Sequence, residues 1–336
     1  MAGNAYGIDL GTNHIKIFNN NDNTITIQKN MIAIKDEVEF FAYGDTAYEM
    51  YEKAPANIQI SYPLSSGVIS DLHNVELLVK YLISDLQNGS PKNADFVIAV
   101  PYDITDVEKR AFYDLLKEAG VKARKIYVVQ KALADGVGMG IDVKNAIGVL
   151  VVNVGFETTE ISILSLGGIV LSRLIKDGGL EFDDSIRGAV RNEFGLLIGG
   201  KTAEEIKKNL KDLEKQGKGA LVCGRDIVTG LPVQREIPTK LIVDSLEGDF
   251  KSIIDNIKFI LERTPPELSA DIFRNGIFLT GGASQVSHLV ERIADGTGLK
   301  VNVTDEPITS TAYGLGRIIQ EPDFASLAQS AEGMGK

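Results

Sequence analysis

The sequence predicts an α/β fold in two related halves around a cleft, and three observations carry that reading. Three β-branched apolar runs punctuated by glycine, at Phe96–Val100, Ile147–Val152 and Ile277–Thr280, read as buried strands. Segments with helical start and stop signals lie between them, which implies a largely parallel sheet with covered faces. An internal echo is the third observation. Tyr6-Gly-Ile-Asp-Leu-Gly-Thr, followed by Ile15 and Ile17, returns in shape as Val151-Val-Asn-Val-Gly-Phe-Glu, followed by Ile161 and Ile163. Each copy reads as a strand, a glycine turn and a returning strand.

The helices follow in order. Thr105 and Glu108 have capping-box spacing, Val107, Ala111, Leu115 and Ala119 share one face, and Gly120 ends the helix. Thr202 and Glu205 repeat the box, with Ala203, Ile206, Leu210 and Leu213 at helical spacing. A third helix runs from about Phe250 to Glu262 through Ile253, Ile254, Ile257 and Leu261, and stops at Thr264-Pro265-Pro266.

Composition bounds the function. The 336 residues correspond to two domains at roughly 150 residues each, and 44% hydrophobic content allows a sizeable core. The net charge is −11, from 46 acidic and 35 basic residues, and no Lys/Arg cluster offers a nucleic acid a footprint. A single cysteine, Cys223, excludes a disulfide framework and fits a reducing cytoplasm. His14, His73 and His288 lack metal-ligand spacing. The start MAGNAYGIDL shows no signal peptide, and no apolar run reaches the roughly 18 residues needed to span a bilayer.

Gly7-Ile-Asp9-Leu-Gly11-Thr12 resembles the first phosphate loop of the actin, sugar-kinase and Hsp70 superfamily. A series of further strings is similar to the bacterial actins of the MreB/Mbl family. They are Pro63-Leu-Ser-Ser-Gly-Val-Ile, Val100-Pro-Tyr-Asp-Ile-Thr-Asp-Val-Glu108, Ile163-Leu-Ser-Leu-Gly-Gly-Ile-Val-Leu-Ser172 and Leu197-Ile-Gly-Gly-Lys-Thr-Ala-Glu-Glu-Ile-Lys207. Gly224-Arg-Asp-Ile-Val-Thr-Gly-Leu-Pro232, Thr264-Pro-Pro-Glu-Leu268 and Leu279-Thr-Gly-Gly-Ala283 complete the series, which spans about residues 5 to 320 in order.

The resemblance implies the actin-like ATPase fold, two related RNase H-like domains with inserted subdomains around a nucleotide cleft. Subdomain IA would take residues 1–31, 67–143 and 310–330, and IB residues 32–66. IIA would take 144–178 and 252–309, and IIB 179–251. It further implies ATP or ADP with Mg²⁺ in the cleft, self-association into protofilaments and a role in cell shape.

Within that implied site Gly11, Thr12, Asn13 and His14 take the first phosphate-contacting positions, with Lys16 on the returning strand facing the cleft. Asp9 and Asn153 stand where the family orders Mg²⁺ through water. Glu204, Glu205, Ile206 and Lys207 lie where the family meets the adenosine, as do Gly281, Gly282, Ala283 and Ser284.

Two segments depart from the family. Its second loop reads Asp-Ile-Gly-Gly-Gly-Thr-Thr-Glu, whereas this chain reads Asn153-Val-Gly155-Phe156-Glu157-Thr158-Thr159-Glu160. Asn153 removes a carboxylate, and Phe156 adds a steric cost if its φ is positive. Glu157 would face the phosphates, where like charges about 4 Å apart cost on the order of 4 kcal/mol at an effective dielectric of 20. The family's hydrolytic Glu-Glu-Pro-Met-Ala-Ala-Ala-Ile-Gly becomes Gln130-Lys131-Ala132-Leu133-Ala134-Asp135-Gly136-Val137-Gly138. Lys131 replaces the glutamate that activates water, and an ammonium group has no acceptor for a proton. Gln130 is one residue out of register. An ion pair between Lys131 and Glu157, closing the cleft, is a further expectation.

The polar loop Gln87–Asp95 and the short polar N-terminus argue against direct membrane insertion, leaving a cytoplasmic protein that reaches membranes through partners. The leading reading is a divergent MreB-like filament protein with impaired hydrolysis that copolymerises with other paralogues. The alternatives are a competent ATP-hydrolysing MreB and, more remotely, a small-molecule kinase of the same superfamily.

Overall fold

The computed structural model describes residues 3–87 and 93–330. Residues 88–92, on which part of the membrane expectation rests, lie outside them, as do residues 1–2 and 331–336. Two sheets form the frame. In the first, a meander of Ala5–Leu10, His14–Asn19 and Thr24–Lys29 is continued by Ala94–Val100 and Ala123–Gln130, both parallel to the first strand, with the short strand Gln329–Ser330 on the edge. In the second, the meander Val149–Val154, Thr159–Ser165 and Gly168–Ile175 is continued by Ile277–Thr280 and Val301–Val303 in parallel. Setting the edge strand aside, the two sheets have the same order and the same strand directions. The sequence echo is thus a repeat of whole sheets. Each is mixed rather than largely parallel, because tight hairpins require antiparallel neighbours and only the helical crossovers make parallel ones.

The continuous apolar runs follow from burial on both faces. In strand Ala94–Val100, Phe96, Ile98 and Val100 face a core with Leu78, Val79, Leu115 and Leu116, while Val97 and Ala99 face the opposite side. In Val149–Val154, Leu150, Val152 and Val154 likewise face helices Gly179–Phe194 and Thr239–Leu261, while Val149 and Val151 turn the other way. The two inward faces share one core with helices Lys131–Gly138 and Ser310–Gln320. Two small three-stranded sheets, within residues 32–61 and 196–237, extend the halves away from that core.

Thr105 caps helix Asp106–Glu118 with the full reciprocal box. The second box does not form: helix Gly200–Gln216 starts from Gly199, so Thr202 is already inside its first turn. The third helix begins at Thr239, well before Phe250, because Pro238 sets its start and Ile242 and Leu246 extend the same buried face.

The two central helices cross in backbone contact. A Cβ on Gly138 would lie 1.9 Å from the carbonyl oxygen of Ser310, and one on Gly314 would lie 1.8 Å from that of Ala134. Only glycine fits at either position. Gly138→Ala or Gly314→Ala is therefore expected to destabilise the chain by about 3 kcal/mol, read as a fall in the urea midpoint. Gly248→Ala, in the open flank of helix Thr239–Leu261, is the opposite case and should stabilise by roughly 0.5–1 kcal/mol.

Candidate functional site

The two hairpin turns face each other across a cavity of about 490 Å³ between the halves. They are built alike. Gly11 N–H donates to the His14 carbonyl at 3.1 Å, and Gly155 N–H donates to that of Thr158 at 2.8 Å. A Cβ on either glycine would strike the same acceptor, at 2.7 Å and 2.8 Å. Beside each turn sits one polar cross-strand pair, Asp9 with Lys16 in the first half and Asn153 with Glu160 in the second.

Asp9 is buried and its two oxygens are held by two ammonium groups. Lys16 Nζ lies 2.8 Å from Oδ2, and Lys131 Nζ, from the first residue of its helix, lies 3.3 Å from Oδ1. Burial alone would raise the Asp9 pKa, but Lys131 and Lys16 outweigh it and bring it to about 2. The Lys131 pKa moves up: burial pulls it down, and Asp9, Asp135 and Glu160 reverse the shift. Lys131 therefore does not pair with Glu157. The Glu157 carboxylate instead accepts the backbone N–H of Ser66, at a two-residue hairpin turn where Ser66 and Gly67 both have positive φ. This tertiary contact turns Glu157 out of the cavity lining and away from the expected clash with phosphates. Phe156 lines the cavity without a positive φ, so its backbone is not strained there.

Sequence reasoning gave Asp135 no role. It is fully buried one turn after Lys131, accepts Asn153 Nδ2 at 2.7 Å and Thr311 Oγ1 at 2.5 Å, and its pKa is raised by burial. A charged residue amid Ala132, Leu133, Ala134 and Val137 on a buried helix was the available signal. Glu160 was also undervalued. Its Oε1 accepts Tyr102 N–H at 3.2 Å, its buried Oε2 has no hydrogen-bond partner, and burial lifts its pKa to about 7.

At the far end of the cavity Glu204 meets Lys208 Nζ at 2.7 Å and the Tyr48 hydroxyl at 3.0 Å, with Lys29 Nζ at 3.9 Å. Burial would raise its pKa, yet Lys208, Lys29 and Tyr48 lower it to about 2. Lys207 is pinned by Asp183 at 2.7 Å and the Gly179 carbonyl at 2.6 Å. His14 is kept neutral, its pKa brought to about 3 by burial, Lys29 and Lys16. Next to these contacts Glu52 accepts Gly200 N–H at 3.3 Å, and Lys201 donates to the Tyr48 carbonyl.

The cavity thus gathers Asp9, Gly11, Thr12, Asn13, His14, Lys16, Lys131, Asn153, Gly155, Phe156, Glu204, Lys207, Gly281, Gly282 and Ala283 from distant stretches of chain. Gln130, Glu157, Glu205, Ile206 and Ser284 do not line it. Ile206 belongs to the core, Glu205 faces outward, and Ser284 closes its own turn onto the Gly281 carbonyl at 2.7 Å. Cationic groups at Lys16, Lys131, Lys207 and Lys208, with two glycine turns, suit a phosphate-bearing ligand. A magnesium ion held by Asp9 and Asn153 does not fit. Both Asp9 oxygens already face ammonium groups, and the Asn153 amide donates to Asp135. Among the described residues no group of three or more His, Cys, Asp or Glu could hold a metal.

Repeated sheets, paired glycine turns and a basic cavity between them define an actin-like protein. Solved structures share the fold: MreB5 of Spiroplasma citri bound to AMPPNP has a TM-score of 0.88 at 30% identity, covering 97% of this chain and 98% of that one. A MamK double helical filament, with a TM-score of 0.77 at 21% identity, covers 94% and 98% and shares the fold alone. A profile described as MreB/Mbl protein matches residues 3–326, and the chain belongs to the MreB/Mbl family. Among curated relatives, the cell shape-determining protein Mbl of Bacillus subtilis strain 168 is 32% identical over 327 residues, covering 96% of this chain and 98% of Mbl. The cell shape-determining protein MreB of Escherichia coli K12 is 30% identical over 333 residues, covering 96% and 95%. No described helix is long and apolar enough to cross a membrane.

Glu160 generates a pH prediction. Because its folded pKa is raised from 4.5 to about 7, the folded state binds the proton more tightly across that window, and stability falls as pH rises through it. The fall should be on the order of 3 kcal/mol. Glu160→Gln keeps the acceptor for Tyr102 and is expected to flatten it, in urea midpoints compared at about pH 5 and about pH 8.

Proposed function

We propose that this chain is a cytoskeletal filament protein acting in cell-shape determination, with ATP or ADP in the interdomain cleft and hydrolysis impaired. One observation carries the reading: the helix that the sequence places at the hydrolytic position opens with Lys131, whose ammonium group is committed to Asp9. A lysine there cannot take a proton from water. The cell shape-determining relatives support the filament role, and the MreB5 structures bound to ADP and to AMPPNP support a nucleotide in the cleft. The small sheets within 32–61 and 196–237 support inserted subdomains at the boundaries given above. Self-association into protofilaments, copolymers with paralogues and partner-mediated membrane association extend the same reading.

A specific observation favours a second reading in which hydrolysis persists. The unpartnered Glu160 Oε2 belongs to a cavity-lining carboxylate whose pKa of about 7 suits a general base. Phosphate release from purified protein with ATP separates the two. The expected result is release no faster than the protein-free blank. Turnover abolished by Asp9→Ala would overturn the impaired reading, and turnover also abolished by Glu160→Gln would assign the base.

A further inference from the structure

The charges around Asp9 lead beyond the presence of a nucleotide to how its phosphates are neutralised. Divalent magnesium serves phosphate sites by adding two positive charges, held through carboxylate or water oxygens in octahedral geometry. Here the oxygens of the two aspartates are engaged, and Glu160 Oε2 is the one unpartnered acid oxygen among the described residues lining the cavity. Lys16 and Lys131 occupy the two oxygens of Asp9. Asp135 accepts Asn153 on one oxygen and Thr311 on the other. Asn153 is neutral and turns its N–H₂ group toward Asp135. Asp9, Lys16 and Lys131 together carry a net single positive charge at the cavity wall, and a divalent cation placed among them would face two ammonium groups.

Both ammonium groups are on flexible stems, and both belong to residues lining the cavity. A polyphosphate brought beside Asp9 would meet the two positive charges that a magnesium ion otherwise supplies. Lys16 comes from the first hairpin and Lys131 from the head of the crossing helix, so the two approach from different elements. Asp9 lies between them and holds both in place.

We propose that the cleft binds nucleoside di- and triphosphates without a divalent cation, the Lys131 ammonium taking the ion's place with Lys16. The inference rests on the nucleotide reading above. It also accounts for Lys131 in positive terms, as a phosphate ligand instead of a lost base.

Calorimetric titration of the full chain with ATP, in magnesium and again in excess EDTA, tests it. The expected affinities agree within about threefold. Lys131→Met should weaken binding in EDTA by about tenfold or more, and binding should become magnesium-dependent as Asp9 is released. Lys131→Arg keeps the charge and should keep the metal independence, which separates loss of a ligand from loss of fold. Binding of ATP by the unaltered chain only in magnesium would overturn the inference and leave the nucleotide reading standing. Equal affinities in both conditions that Lys131→Met leaves unchanged would overturn the role of Lys131. No binding in either condition would overturn the nucleotide reading, and the inference with it.

Discussion

The architecture depends on one close approach, the crossing of helices Lys131–Gly138 and Ser310–Gln320 through Gly138 and Gly314. No side chain separates the two backbones there, so the seating of one helix on the other is set by main-chain contact. The same two helices deliver Lys131 and Thr311 to the cavity wall, with Asp135 fully buried and bonded to Thr311. The wall there is therefore as well defined as the crossing itself. A looser crossing would separate Thr311 from Asp135 and leave a buried carboxylate short of a partner, a cost of about 1–3 kcal/mol or more.

Asp135 and Asn153 make sense only together. A carboxylate at position 153 would face the buried Asp135 carboxylate at hydrogen-bond distance, whereas the amide donates to it. What reads along the chain as a lost charge is, in space, a complementary donor. Lys131, four residues before Asp135, adds the counter-charge that makes two buried acids tolerable at one site. Three departures in sequence thus form one electrostatic unit with Asp9.

That unit marks the limit of what could be read from the sequence. The paired hairpins were legible because their signals are local: alternation, a glycine, and a returning strand with Lys16 or Glu160. Helix Asp106–Glu118 was legible because its cap is four residues long. The boundary at Thr239 was not, since its buried face could be extended only once the packing partners were known. Glu157 could not be assigned to Ser66, which lies 91 positions away on a separate hairpin. The expected Lys131–Glu157 pair failed for the same reason: each had a nearer partner that only the tertiary structure supplies.

The contacts that join residues 48–52 to helix Gly200–Gln216 have a consequence for how the halves open. Tyr48 and Glu52 of the first half engage Glu204, Gly200 and Lys201 of the second. Glu204 also lines the cavity, so these contacts tie the joining of the two halves to the site itself. A charge-assisted hydrogen bond contributes roughly 1.5–3 kcal/mol, so these contacts together oppose separation of the halves on this side.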